Sequence, residues 1–466
     1  MKEPRRRGLR LPRLRTFFRR PLKPSPPLAT PQAGGIAAAA TPELDRGRWA
    51  ESLRAFQHRN YRLFYVGQSI SLIGTWMQTI AMAWLVLEIT DSQEKLGFVV
   101  LLQFLPITVL VLFAGVIADR VPKRDFLLFT QLIAMAQALI LATLVVTDTV
   151  ELWHIYILAV MLGVSNAFDL PTRQAFAIEM VGRKDLMNAV ALNSGMFNGG
   201  RLIGPAIGGV LISVAGVEAV FLLNGISFIP VIASLMMIRK SELFTSERSA
   251  PPGNPLTELK EGIKYAVRTP ATRLVFILIA LIGTFGYNFT VMLPLITRYV
   301  LHEGSIVLGL LTAAVGFGAF IAAVILAGRK AATHYQLFAG GIAFATLLTG
   351  VALSTNIYLT VVLLVFLGGA GATFGTTANT AVQIATPDHL RGRVVSLYML
   401  LFAGSTPLGG YLVGYIAEHV GTQEAIGLSA GMCAVGVALG GAYFASNRAG
   451  VERTADASRR AAEVTA

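Results

Sequence analysis

Two charged side chains lie inside long apolar stretches of this sequence. At a rise of 1.5 Å per residue, Arg201 is roughly 16–20 Å from one end of its predicted helix. A guanidinium at such a depth in lipid costs about 3 kcal/mol, so it must face protein or water and be paired. Its candidate partners are Asp169 and an anionic substrate. Asp169 can instead bond with Arg173, one helical turn on. A role in substrate binding or ion coupling and a purely structural ion pair therefore both stay open.

Neutral polar and aromatic side chains in the apolar stretches are further candidates for contacting a ligand, in particular Gln68, Trp76 and Asn379. Each of them alone more often packs or hydrogen-bonds between helices than binds a ligand. The wider set carries little charge, which favours a bulky amphiphilic ligand over a sugar or a small ion. It comprises Gln68, Gln78, Gln103, Asn166, Asn193, Asn198, Asn288, Asn379, Gln383, Tyr398, Trp76, Trp84 and Phe285.

Signatures of enzymes and of metal sites are missing from the sequence. It contains no GxxxxGK[ST] loop, which excludes this kind of ATP site as the energy source. The six histidines lie at the ends of apolar stretches or between them, without the spacing of metal ligands. The single cysteine, Cys433, allows neither a disulfide nor a CxxC site within one chain. We therefore predict no enzyme activity, no cofactor and no metal.

The composition indicates that lipid surrounds the chain. Hydrophobic residues make up 54% of it and charged residues 14%, whereas about 25% of a soluble domain is charged. The apolar residues also come in long blocks, and a membrane span needs about 20 of them. The sequence therefore predicts an all-α membrane protein with twelve transmembrane helices. They lie near 62–86, 97–118, 126–147, 152–171, 190–213, 219–238, 272–296, 306–328, 337–354, 358–381, 394–416 and 425–445.

Charge is unevenly distributed between the loops. One set, the basic loops, holds Arg120, Lys123, Arg124, Arg183, Lys184, Arg239, Lys240, Arg329, Lys330, Arg391 and Arg393. The alternate set, the acidic loops, holds Glu88, Asp91, Glu94, Asp148, Glu151, Glu218, Glu303, Glu418 and Glu424, with only Lys95 and Arg298 as cations. The positive-inside rule places the basic loops and both termini in the cytoplasm. The net charge of +13 thus follows from topology and does not predict a nucleic-acid partner.

Five segments are predicted along the chain. The linker contains an amphipathic stretch, 256–270, with Leu256, Leu259, Ile263 and Val267 at helical spacing. We expect it to lie at the membrane surface and to tie the two halves together. The segments are a disordered basic cytoplasmic tail (1–55), a six-helix bundle (56–238), a cytoplasmic linker (239–271), a second six-helix bundle (272–446) and a cytoplasmic tail (447–466).

The two predicted bundles repeat each other at offsets of roughly 210 residues. The sequence LIGTW at 72–76 recurs as LIGTF at 281–285, Arg62-Leu63 as Arg273-Leu274, and ADR at 118–120 as AGR at 327–329. Six spans followed by six more in the same orientation imply a parallel repeat about an axis normal to the membrane. Two such bundles can rock around a central cavity, which is the architecture of alternating access.

Two motifs make the chain resemble the major facilitator superfamily. The loop after the second span reads GVIADRVPKR at 115–124, similar to the G-x-x-x-D-R-x-x-R-R signature of that superfamily. The fifth span reads GRLIGPAIGG at 200–209, which resembles the glycine-proline motif of its exporters, particularly drug/proton antiporters. The stretches 60–64, 67–68, 74–76, 168–174 and 391–394 are similar to the enterobactin-exporter-like, or transmembrane secretion effector, branch, which includes macrolide efflux proteins. This likeness runs from about 55 to 446.

The resemblance implies a secondary transporter in a bacterial inner membrane that exports a small amphiphilic molecule, siderophore-like or drug-like. Its expected partners are that substrate, membrane lipid and a proton or other coupling ion, and a monomer is expected. Asp169 is the candidate proton site. The fourth span departs from many proton antiporters of the superfamily, because it lacks the buried arginine that they carry there. An importer, a lipid facilitator and a non-transporting receptor or scaffold are the alternatives.

The two motifs also give specific expectations for moving parts. Asp119 lies at the C-terminal end of its helix, where the helix dipole disfavours an anion, so it needs another partner. The resemblance suggests the start of span eleven, near Val394. We therefore expect a conformational latch of Gly115, Asp119, Arg120 and Arg124. A helix-packing and gating motif is expected at Gly200, Gly204, Pro205, Gly208 and Gly209, because its small residues permit close helix contact and its proline can bend the helix.

Overall fold

The computed structural model describes residues 53–244, 255–327 and 333–465 of the chain. Within these ranges the regular secondary structure consists of helices, with no strand. The side chains of a few helical residues, among them Gly115 and Asp119, lie outside the description, as does the predicted N-terminal tail up to residue 52.

Four helices form the first half. They are α1 (Arg59–Thr90), α2 (Gln93–Arg120), α3 (Lys123–Val146) and α4 (Leu152–Met237). At 1.5 Å per residue, the 86 residues of α4 would extend about 130 Å if straight, far beyond a hydrocarbon core of about 30 Å. Two backbone breaks divide it, at Gly182 (φ 71°) and Gly216 (φ 78°). Both residues have a positive φ, a backbone conformation that glycine adopts without steric cost. The resulting segments, 152–181, 183–215 and 217–237, are each long enough to cross a membrane.

The second half follows a short helix, α5 (Pro255–Arg268). A candidate membrane span then runs over Pro270–Val300. It contains α6 (Pro270–Leu281) and α7 (Phe289–Leu295), each followed by a turn of π-helix. The remaining helices are α8 (Ser305–Ala327), α9 (His334–Leu353), α10 (Ile357–Ala385), α11 (Asp388–Gly404), α12 (Thr406–His419) and α13 (Thr422–Thr465).

Local sequence determines where several helices start. Ser92 caps α2 by accepting from the Lys95 N–H, and Asn356 caps α10 in the same way from Leu359. Thr333 forms a capping box with Gln336 at the start of α9. Such caps satisfy the free N–H groups at helix ends, which have no partner in lipid.

The linker helix α5 contacts the second half. Glu261 forms an ion pair with Arg393, and the Tyr265 hydroxyl donates to the Ala385 carbonyl at 2.6 Å. Ala266 is buried on that side, whereas Ile263 and Val267 are exposed. An apolar face that no protein covers suits a helix lying on the membrane surface. The predicted tie between the halves stays a prediction.

Buried polar groups in the first half are bonded to one another. Gln78 on α1 donates to Gln137 on α3 at 2.8 Å, and its oxygen accepts from Asn224 on α4 at 2.6 Å. The Ser227 hydroxyl extends this chain to Asn224. These bonds link three helices of the first half.

Small residues allow the closest helix contacts in the second half. A Cβ atom on Gly318 of α8 would lie 1.7 Å from the Val365 carbonyl oxygen of α10, and one on Gly368 would lie 2.1 Å from the Val315 oxygen. Glycine at these positions lets the two backbones touch, as at other small-residue interfaces in membranes.

The fold class is confirmed: the chain is an all-α membrane protein. Ten helices or helix pairs in the described ranges are long and apolar enough to cross a membrane, and one of them is the twice-broken α4. The twelve-span count and the five-segment division stay predictions. The backbone of the predicted C-terminal tail is helical as far as Thr465, after a break at Asn447.

The α8–α10 contact gives a test of the packing. We expect Gly318→Ala to lower the free energy of unfolding by about 1–3 kcal/mol, because the added methyl group forces two backbones apart. Gly441→Ala on α13 is the matched control, since its Cβ would meet nothing within 4 Å. Thermal unfolding of both variants in detergent measures the difference. Equal stability of the two would contradict the described packing.

Candidate functional site

Two adjoining cavities lie among the helices. The first, of about 310 Å³, lies mainly in the first half, between α1, α2, α3 and α4. The second, of about 250 Å³, lies between the halves, with walls from α1, α2, α4, α7, α8, α11 and α12. Trp76, Thr79, Phe104 and Thr290 line both. The two cavities therefore share a boundary at the centre of the molecule.

Asp169 lines the first cavity with both carboxylate oxygens bonded. Oδ1 accepts from the Thr130 hydroxyl at 3.0 Å and from the Gln131 amide at 2.7 Å. Oδ2 lies 2.5 Å from Nη2 of Arg173, one turn along the same helix. Asp169 is 3% exposed. Of the pairings predicted for this carboxylate, the structure contains the local one with Arg173.

Arg201 lines the second cavity, on the middle segment of α4. Its Cζ atom lies 6.0 Å from the centroid of the Trp76 ring, over which the cation sits. Among the residues that the structure describes, no carboxylate pairs with it. The two charged side chains singled out in the sequence thus occupy neighbouring cavities, one neutralised by protein and one not.

Some of the neutral polar and aromatic candidates line a cavity, whereas others bond only to neighbouring protein groups. Gln68 and Trp76 line the first cavity, and each has a buried polar atom without a partner, Oε1 of Gln68 and Nε1 of Trp76. Asn379 lines neither cavity, and its side chain accepts from Gln383 at 3.0 Å. Gln78 belongs to the buried amide chain as well as to the cavity wall.

Sequence reasoning did not find the second-half wall of the cavity. Tyr287, Thr290 and Phe402 line it. Tyr287 follows a π-helical turn at 282–286, immediately after the repeated LIGTF stretch. That stretch was the available signal, because its first-half copy ends at the cavity residue Trp76.

The glycines of the fifth predicted span pack on α1 and α8. Cβ atoms on Gly200, Gly204 and Gly208 would meet α1, the closest being 2.6 Å from Cβ of Trp76. A Cβ on Gly209 would lie 2.5 Å from the Ser305 carbonyl oxygen, across the boundary between the halves. Pro205 lies on the same side, since a Cβ on Gly309 would lie 2.6 Å from its carbonyl oxygen. The gating role of this motif stays a prediction.

With this geometry in hand, residues 50–460 match the model of the transmembrane secretion effector family. The chain belongs to this family of major facilitator superfamily transporters. Among curated relatives, the Staphyloferrin A transporter of Staphylococcus aureus is 28% identical over 77% of this chain and 90% of its own length. The Multidrug efflux pump Tap of Mycolicibacterium fortuitum is 26% identical over 78% and 91%. A solved POT family transporter in complex with 5-aminolevulinic acid has a TM-score of 0.66 at 11% identity, covering 82% of this chain and 95% of that one.

The transporter's halves are joined at the end that carries the acidic loops, here called the acidic end. Glu418 of α12 accepts from the Gln93 N–H at 2.6 Å and the Glu94 N–H at 3.4 Å, and so caps the N-terminus of α2 from the other half. A carboxylate is well placed there, because the helix dipole is positive at its N-terminus. Thr422 adds a 2.7 Å bond to the Gln93 side chain.

A second pair of contacts joins the halves at the same end. Asp91, just after α1, accepts from Arg298 and from the Tyr299 hydroxyl, each at 3.0 Å. Glycines let α2 and α12 approach nearby, since a Cβ on Gly414 would lie 2.5 Å from the Gln93 carbonyl oxygen. Sequence reasoning noted these acids as part of the acidic loops without pairing them.

The predicted latch lies at the opposite, basic end of the transporter. Arg124 donates to the carbonyl oxygens of Leu235 at 2.6 Å and Met236 at 3.0 Å, and so caps the end of α4 within the first half. Arg120 is exposed at the end of α2. Gly115 and Asp119 belong to α2, and their side chains lie outside the description. The latch stays a prediction.

The Asp169 site gives a test by double-mutant cycle. Asp169→Asn and Arg173→Gln should each destabilise the transporter, and their coupling energy should be about 1–3 kcal/mol because the two groups share one buried bond. Unfolding of the two single variants and the double variant in detergent gives this value. Strict additivity would contradict the ion pair.

Proposed function

We propose that the chain exports a small amphiphilic molecule through the cleft between its two halves by alternating access. The observation that carries this proposal is the pair of adjoining cavities, whose walls come from both halves. They combine aromatic rings and neutral polar groups with the Asp169–Arg173 ion pair and Arg201. Such a mixture suits a ligand with an apolar body and few polar groups. A site built from both halves changes its access when the halves rock, as the mechanism requires.

The relatives support the outward direction. The Multidrug efflux pump Tap has efflux in its name, and another relative is named as a transporter of staphyloferrin A. Macrolide efflux protein A of Streptococcus pyogenes, which is 23% identical over 79% of this chain, also has efflux in its name. We therefore carry export over to this chain, with a siderophore-like or drug-like molecule as its substrate.

The membrane orientation follows from the charge of the loops. Placing the basic loops and both termini in the cytoplasm of a bacterium satisfies the positive-inside rule for the inner membrane. The acidic end then faces outward. The contacts of Glu418, Thr422 and Asp91 would close the outer side, and the proposed latch around Asp119 would close the inner side in the alternate state.

Protons are the proposed coupling ion and Asp169 the proposed proton site. It is a carboxylate that borders the cavity, and its Oδ1 accepts from Thr130 and Gln131 of α3, which a movement of α3 against α4 would separate from it. Rearrangement of these bonds while substrate or water enters would link this carboxylate to the movement, as ion-coupled transport requires.

Export can be tested by comparing metabolites inside and outside cells that do or do not express the chain. We expect at least one amphiphilic compound to move outward severalfold and to accumulate in inside-out vesicles under an imposed proton gradient. A protonophore should abolish the accumulation, and Asp169→Asn should uncouple it. Export of no compound would contradict the proposed export. Accumulation that is unchanged by the gradient and by Asp169→Asn would contradict the proposed proton coupling.

A cross-link across the acidic end tests whether export requires this end to open. In a Cys433→Ala background, Gln93→Cys and Thr422→Cys place two thiols where the native side chains bond at 2.7 Å. Joining them by oxidation or by a short bis-thiol reagent should stop export, and cleaving the disulfide with a reductant should restore it. Thr422→Cys alone is the matched control. Undiminished export by the cross-linked chain would contradict opening at this end.

A further inference from the structure

The second cavity holds a cation without a protein counter-ion. Arg201 is the charged residue of its wall, and the other lining residues that the structure describes include no acid. Asp169, the nearest candidate in the sequence, is occupied by Arg173, Thr130 and Gln131. A guanidinium in the interior of a membrane protein is normally paired, so a charge is missing from this site.

A second donor beside Arg201 also has no acceptor. Nε1 of Trp76 is buried and unpartnered, and the Trp76 ring is the one that lies 6.0 Å from the Arg201 cation. Indole nitrogen is a donor only, as guanidinium is. Two adjacent groups thus offer N–H bonds, and the described protein accepts neither of them.

Most other hydroxyl donors of this cavity are already engaged, although the hydroxyl of Thr290 makes no hydrogen bond among the described residues. The hydroxyls of Thr79, Thr312 and Thr406 each donate to the carbonyl oxygen four residues earlier in the chain. The Tyr287 hydroxyl donates to the Gly371 carbonyl at 2.7 Å. The donors of this cavity without a partner in the described protein are therefore Arg201, Trp76 and Thr290.

Apolar side chains form the rest of the wall. Phe289, Leu293, Leu308, Val315 and Phe402 come from the second half and lie around the same cavity. A ligand that fills the cavity must place an apolar or aromatic body against them. Its acceptor group must then lie at the Arg201 side.

From this asymmetry we infer that the substrate is an organic anion with a bulky apolar or aromatic body, whose anionic oxygens bind Arg201 and the Trp76 N–H. The inference rests on the proposed function and names its substrate class. Planar guanidinium bonds a carboxylate or a similar pair of oxygens by two parallel N–H bonds. In the first cavity, Oε1 of Gln68 and Oε1 of Gln131 are unpartnered acceptors for donor groups elsewhere on the ligand.

The test compares two probes of equal shape and different charge, 2-naphthoate and its uncharged amide 2-naphthamide. Their binding to the purified full chain in detergent is measured by calorimetry. We expect the chain to bind naphthoate at least tenfold more tightly than naphthamide. Arg201→Gln should reduce this preference to about one, whereas Arg201→Lys should keep part of it by retaining the charge. Trp76→Phe should weaken naphthoate binding severalfold, since it keeps the ring and removes the donor.

Several results would overturn the inference. They are equal binding of the two probes, binding of neither, or an unchanged preference in Arg201→Gln. If Arg201→Gln fails to fold, Arg201→Lys and Trp76→Phe still decide. An undiminished preference for naphthoate in both of these variants would contradict the assigned contacts. The binding assay is independent of flux. Export of neutral compounds without an anion preference would overturn this inference alone, and an anion preference without export would overturn the proposed function alone.

Discussion

Lipid offers no hydrogen-bond partner, and this constraint shapes almost every polar group of the transporter. Gln78 bonds to both Gln137 and Asn224 across three helices, and both carboxylate oxygens of Asp169 accept from side chains. Against this background of internal pairing, unpaired groups carry information. Those at Arg201, Trp76 and Gln68 border two adjoining cavities, where a substrate can supply the missing partner.

The boundary between the halves combines close backbone contacts at glycines with a few charge-assisted hydrogen bonds. Glycines bring α4 close to α8 and α2 close to α12, so that the halves meet through backbone contacts. At the acidic end, a few charge-assisted bonds of Glu418 and Asp91 hold the meeting helices together. Such bonds break and re-form without exposing a large apolar surface, so a rocking motion would need only a few of them to change.

Sequence reasoning identified the fold class and the family because both depend on local patterns, namely long apolar blocks and the motifs at 115–124 and 200–209. It also proposed the Asp169–Arg173 pair, since a spacing of four places two side chains on one helix face. It did not find the bonds of Glu418 with Gln93, because the residues are 325 positions apart and only the packing of the halves brings them together. The Tyr287 wall was missed although the LIGTF repeat points to this region, because the placement of Tyr287 follows from the π-helical turn at 282–286.

The claim on which this account depends is that the two ends of the molecule open in turn. Spin labels at the exposed positions Lys95 and Val420 would report on the acidic end, and labels at Met187 and Ile384 on the basic end. Double electron–electron resonance in lipid nanodiscs, in acidic and in alkaline buffer, then gives two distance distributions. The account predicts that the distance across one end lengthens as the distance across the other shortens. Distances that stay fixed at both ends, or that lengthen together, would contradict it.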